Sequence, residues 1–103
     1  MDEQEQVVIN LIVNSGSARS SAIEAIQYAK AGDIAKAEES LQTAKETVNE
    51  AHHSQTELIQ AEIRGEKAPL NLLMVHAQDH LMTALVVIDL AQEFIDLYKK
   101  IEK

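Results

Sequence analysis

Two imidazoles and a carboxylate fall within one short run, His76-Ala77-Gln78-Asp79-His80. The surrounding sequence reads as a long helix. At about 100° per residue, His76, Asp79, His80 and Thr83 share roughly a third of its circumference. Leu72, Val87, Leu90, Phe94, Leu97 and Ile101 lie on the same side. The polar group therefore continues an apolar stripe expected to face a core or a partner. Ionisable groups placed there lose hydration and need compensation. Three readings compete. A neutral imidazole can attack phosphorus and hold a phosphoryl group as phosphohistidine. His76 and His80, spaced i, i+4, can share a metal, with Asp79 as a hard oxygen ligand better suited to magnesium. Hydrogen-bonded histidines can also simply fill a helix-packing seam. The bare spacing does not choose among them, and the glutamate of a zinc-peptidase HExxH is absent.

A second polar run, Asn49-Glu50-Ala51-His52-His53-Ser54-Gln55-Thr56, sits in the latter half of another helical segment. If the two segments are antiparallel, His52, Gln55 and Thr56 come near His76, while His53 and Glu57 read as a solvated face. Arg19 is the first positive charge of the chain. It can neutralise a phosphate or pair with a carboxylate.

These residues need long helices to position them, and three are legible. The first runs from Glu3 to Ala31. Its early part, Val7 to Val13, is apolar on more than one face, which in a small chain points to an oligomer. Gly16 and the serines around it can bend or thin this helix, but the pattern favours continuity. Ala31-Gly32-Asp33 breaks it, with Gly32 suited to a left-handed helix end and Asp33 to capping the next helix. The second helix runs from Ile34 to Ile63, with an inward stripe of Ala37, Leu41, Ala44, Val48, Ala51, Leu58 and Ile59. Arg64-Gly65-Glu66-Lys67-Ala68-Pro69 is the second break. The third helix starts near Leu70 to Leu72 and ends near Ile101. Short connections make neighbours antiparallel. The fold class is therefore all-α, an antiparallel three-helix bundle forming one domain over residues 1–103.

Composition narrows the function. Hydrophobic residues make up 46% and aromatics 3%, with three glycines and one proline, a profile for closely packed helices. The net charge of −8 and the lack of a Lys/Arg cluster argue against nucleic acid as a ligand. With no cysteine, disulfides and thiolate metal sites are excluded. No apolar run reaches the ~18 residues of a membrane span. Met1-Asp2-Glu3 lacks the basic start of a signal peptide. A cytoplasmic location is expected.

Taken together, the segments Leu11-Ile12-Val13-Asn14-Ser15-Gly16 with Ala18-Arg19-Ser20, Ala31-Gly32-Asp33, Asn49-Glu50-Ala51-His52 with Gln55-Thr56, and His76-Ala77-Gln78-Asp79-His80-Leu81-Met82-Thr83 resemble the lactose/cellobiose-type enzyme IIA of the bacterial phosphoenolpyruvate-dependent sugar phosphotransferase system. The likeness covers almost the whole chain and is closest to the cellobiose/chitobiose branch. The resemblance implies a homotrimer with a nine-helix core. It implies that His76 accepts a phosphoryl group from HPr, by attack of Nε2, and passes it to the cognate IIB protein or domain. The sugar then enters through the membrane component IIC. It also implies that three copies of Asp79 share one Mg2+ on the threefold axis. Gln78, His80, His52 and Gln55 are candidates for positioning the phosphate. Met74 or Met82 could border the histidine and adapt to successive partners. Two other readings keep the same helices: a histidine phosphotransfer module of a two-component system, and a non-catalytic assembly protein with a structural metal.

Overall fold

The computed structural model describes residues 3–67 and 70–102; Ala68 and Pro69 of the expected second break lie outside the described residues. It contains three helices, α1 (Glu3–Lys30), α2 (Ile34–Ile63) and α3 (Leu72–Ile101). The long axis of the molecule measures 55 Å. α1 runs unbroken through Gly16.

The ends of the helices have local causes. Gly32 takes φ +89°, and Asp33 N–H reaches back to the Tyr28 carbonyl at 2.9 Å. This closes α1 with a left-handed cap that a Cβ would strain. Asp33 then caps α2, its carboxylate accepting from Lys36 N–H at 3.1 Å. The same device closes α2, with Gly65 at φ +93° and Glu66 N–H bonded to the Ala61 carbonyl at 2.9 Å. α3 opens on Asn71, whose side chain accepts from Met74 N–H at 2.9 Å. Lys99 and Lys100 occupy the last turn of α3, where cations complement the helix dipole.

Between the helices, the core is built largely of alanine. Ala18, Ala22, Ala25 and Ala29 of α1 meet Ala37, Ala44 and Ala51 of α2 and Ala77, Ala84 and Ala91 of α3, all buried. Leu11, Leu81 and Ile95 are the largest apolar side chains fully enclosed. Small residues let helix axes approach closely. α1 packs extensively on both other helices, whereas α2 and α3 touch much less. Their seam carries polar links: Gln55 to Gln78 at 2.7 Å, Lys45 Nζ to Gln92 Oε1 at 3.2 Å, and an ion pair between Lys99 and Glu38. The hydrogen bond that the Lys99 ammonium donates to Glu38 raises its pKa above the ordinary value.

One expected core position is corrected. Ile59 is exposed, although Leu58 is partly buried against the core. The α3 stripe through Leu72, Leu90, Phe94, Leu97 and Ile101, expected to face either a core or a partner, does not face the core of the subunit: all five are exposed. The core face of α3 is instead Met74, Ala77, Leu81, Ala84, Ile88, Ala91 and Ile95. These residues recur at alternating spacings of three and four, turned well away from the exposed stripe. α3 therefore has two apolar faces, and one has no partner within the subunit.

Candidate active site

His76 stands in the second turn of α3, on the edge of the exposed apolar face. The Asn71 cap fixes where that turn begins. Ala77, completely buried, holds this stretch against the core. One turn further, the half-buried His80 aims at the same point. The Nε2 atoms of the two rings lie 3.0 Å apart. The rings meet edge to face, with centroids 4.4 Å apart and planes at 79°. Such a contact requires one Nε2 to donate and the other to accept. Beside the pair, Leu72 and Leu73 join His76 in lining an open apolar concavity. The imidazole is thus within reach of another macromolecule.

Gln78 faces a different way. Two residues along a helix correspond to about 200° of rotation, which turns it from His76 towards α2. There Gln55 Nε2 donates to Gln78 Oε1 at 2.7 Å, and Gln78 Nε2 donates to Met74 Sδ at 3.5 Å. A weaker contact of 4.0 Å runs from Gln55 Nε2 to Met82 Sδ. Both carbonyl and amide of Gln78 are engaged, so its orientation is defined. A groove between α2 and α3 on this side is lined by Gln55, Leu58, Ile59, Leu70, Met74 and Gln78.

The expected positioning residues thus form two pairs, His76 with His80 and Gln55 with Gln78. His52 is exposed and makes no hydrogen bond to either pair among the described residues; its backbone carbonyl accepts from Thr56 Oγ1 at 3.0 Å. His53 pairs with Glu57 at 3.1 Å on the solvated face, as its position suggested. Of the two methionines, Met74 is buried and Met82 exposed, so only Met82 offers a surface to a partner. Arg19 is exposed on α1 and forms no ion pair among the described residues. Leu73, which lines the concavity beside His76, was not anticipated. Its signal was the wide apolar content of the first turn of α3, Leu70 to Val75.

Asp79 is exposed and has no hydrogen bond or ion pair among the described residues. No three His, Asp or Glu side chains of the described part of one subunit lie close enough to hold a metal ion. A cation at Asp79 therefore needs ligands from beyond the subunit. Among the described residues, no helix is long and apolar enough to cross a membrane.

Residues 6–99 match the family described as PTS system, Lactose/Cellobiose specific IIA subunit. The chain is 55% identical over 100 residues to the lichenan-specific phosphotransferase enzyme IIA component of Bacillus subtilis (strain 168), covering 97% of this chain and 91% of that protein. It is 44% identical to the N,N'-diacetylchitobiose-specific EIIA component of Escherichia coli (strain K12), over 98% of this chain and 87% of the other. The crystal structure of the PTS cellobiose-specific enzyme IIA from Bacillus anthracis superposes with a TM-score of 0.95 at 60% identity, covering 99% and 94% of the two chains. A chain in the solution structures of the IIA(Chitobiose)-HPr complex of Escherichia coli gives a TM-score of 0.85 at 42% identity, with both chains fully covered.

Proposed function

Because the chain belongs to the lactose/cellobiose-specific IIA family of the sugar phosphotransferase system, we propose that its phosphoryl group is carried on His76. The protein is a phosphotransferase component that works with HPr, IIB and IIC. The observation that carries the assignment to His76 is the close His76–His80 contact on an accessible turn, beside an apolar concavity.

Transfer requires a free lone pair on His76 Nε2. In the resting pair, His80 Nε2–H can donate to that atom and hold it as an acceptor. When a phosphorylated HPr approaches, the lone pair turns to phosphorus. The nitrogen–phosphorus bond to His76 forms as the donor's bond to phosphorus breaks, and the donor leaves with that electron pair. His80 Nε2–H then moves its hydrogen bond from nitrogen to a phosphoryl oxygen. A charge-assisted bond replaces a neutral one. The reverse exchange delivers the group to IIB. The exposed apolar side chains Leu72 and Leu73 would exclude water from the nucleophile once a partner covers them, and they suit two successive partners.

Gln55 and Gln78 act at one remove in a single subunit, by holding the first turns of α3 against the sparsely packed α2. His52 has no such link and is the weakest of the positioning candidates.

Asp79 supplies one hard oxygen donor per copy on the unpartnered apolar face of α3. Packing of that face around a threefold axis would bring three carboxylates together, where mutual repulsion calls for a cation. Carboxylates and water suit Mg2+. This donor set and the exposed α3 face support a homotrimer with Asp79 at a shared magnesium. Family membership supports a cytoplasmic location and a sugar of the cellobiose, chitobiose or lactose type.

Incubation with labelled phosphoenolpyruvate, enzyme I and HPr tests the reading. Label should enter the wild-type protein in an acid-labile, base-stable linkage and leave to IIB. His76→Ala should accept none and keep its helical circular dichroism. Label persisting on that variant would overturn the assignment.

A further inference from the structure

We propose that the His76–His80 pair is a chelating site for a transition-metal ion of the zinc and nickel class, separate from the magnesium proposed at Asp79, and that this ion and the phosphoryl group exclude each other. Residues four apart on a helix lie about 40° apart around its axis and about 6 Å apart along it. Two imidazoles at that spacing can converge, and here they do, with Nε2 atoms 3.0 Å apart. An ion held about 2.05 Å from each nitrogen needs them about 2.9 Å apart at a right angle and about 3.3 Å apart at a tetrahedral one. The observed separation falls between these values, so the two donors are already spaced for an ion. The ring planes cross at 79°, and crossed planes share a line on which one ion can lie in both.

Both lone pairs can be made available. Apart from their mutual contact, neither ring has a hydrogen-bond or ion-pair partner among the described residues. His80 can therefore give its Nε2 proton to water and take one from water on Nδ1. Each ring then carries its proton on Nδ1, each Nε2 lone pair forms a bond to the ion, and the ion sheds two waters. No proton is released overall. The surroundings favour a cation: no Lys or Arg occurs from Leu70 to Tyr98, and the chain carries a net charge of −8. Neutral imidazole selects zinc, nickel or copper, whereas magnesium takes oxygen ligands. No third His, Asp or Glu of the described part of the subunit completes the site, so water fills the remaining positions and the ion stays exchangeable. His53 and Glu57 have the same spacing and a 3.1 Å contact, but they offer only one imidazole. An ion on His76 Nε2 occupies the lone pair that would attack phosphorus. The mutual exclusion thus rests on the carriage of phosphate by His76 proposed above, whereas the metal site itself rests on the geometry of the pair.

Calorimetric titration with Zn2+, in saturating Mg2+ to keep Asp79 occupied, tests the site. The wild-type protein should bind one Zn2+ per subunit. His76→Ala and His80→Ala should each weaken binding by about tenfold or more with unchanged helical signal, and His53→Ala should bind like wild type. Nitrogen-15 chemical shifts should show Nε2 coordinated and Nδ1 protonated in both rings. Protein already phosphorylated through HPr should lose the site. Zn2+ should slow acceptance of label from purified phospho-HPr, and a zinc-selective chelator should restore it. Zn2+ bound equally well by His80→Ala, or lost only in His53→Ala, would overturn the metal site and leave the phosphocarrier assignment standing. Label entering His76→Ala would defeat that assignment and leave the metal site standing. Zn2+ bound as tightly by the phosphorylated protein would overturn the mutual exclusion.

Discussion

Replacing His80 by alanine tests whether it is a phosphate-positioning residue or merely a neighbour of His76. The hydrogen bond to a phosphoryl oxygen is charge-assisted and contributes about 1.5–3 kcal/mol. Before transfer the same Nε2–H is engaged by His76 Nε2 at 3.0 Å, a neutral bond of about 0.5–1.5 kcal/mol. Only the difference, about 1–2 kcal/mol, assists transfer. At 1.36 kcal/mol per factor of ten, His80→Ala should slow phosphoryl transfer from HPr by roughly 5- to 30-fold. Quench-flow measurement with labelled phospho-HPr gives the rate directly. His80→Gln, which keeps an N–H donor, should recover part of the loss. Circular dichroism should be the same for all three proteins. A His80→Ala rate within twofold of wild type would refute the proposed switch of hydrogen-bond acceptor. So would a His80→Gln variant as slow as the alanine one.

Two further predictions concern assembly and stability. Asp79→Asn should make the sedimentation of the protein insensitive to chelator, whereas chelator should weaken the wild-type trimer; equal chelator sensitivity in both would exclude Asp79 as the metal ligand. Ser15 is fully buried and its Oγ has no hydrogen-bond partner among the described residues, so Ser15→Ala should stabilise the fold by about 1 kcal/mol. That corresponds to a rise of about 4–8 °C in thermal midpoint at fixed protein concentration, and a fall would mean that the hydroxyl is paired.

The helices were legible because their ends are marked by unusual residues. Gly32 with Asp33, and Gly65, combine conformational freedom with capping chemistry that few residues share. Asn71 was overlooked as a cap because its neighbours in the apolar run Leu70 to Val75 mask the boundary. The His76–His80 pair followed from helical spacing alone. Gln55 came to α3 as antiparallel packing required, but Gln78 met it on the side away from His76. Helical geometry places residues i and i+2 on different faces, so nearness in sequence misleads there. The core face of α3 is hard to read in the sequence for a different reason. Leu90, Phe94 and Leu97 carry most of the apolar signal of that helix and face outward. Ala77, Ala84 and Ala91 face inward and register weakly in any hydrophobic pattern. A single chain also gives no direct sign of which apolar face meets its own helices and which meets another copy.

The alanine seams have a consequence for how this protein tolerates change. Most globular cores are vulnerable to truncation, because removing a large side chain leaves a void. Here more than half of the buried apolar side chains are alanines, too small to leave one. The danger runs the other way: almost any substitution at Ala22, Ala44 or Ala84 adds atoms where helix backbones already lie close. Drift in such a lineage should be confined at these positions to glycine and serine, while the outward-facing leucines and valines exchange among themselves as long as neighbouring copies keep step. An engineer seeking a hardier variant would therefore add nothing to the alanine seams and, Ser15 apart, work on the outward faces.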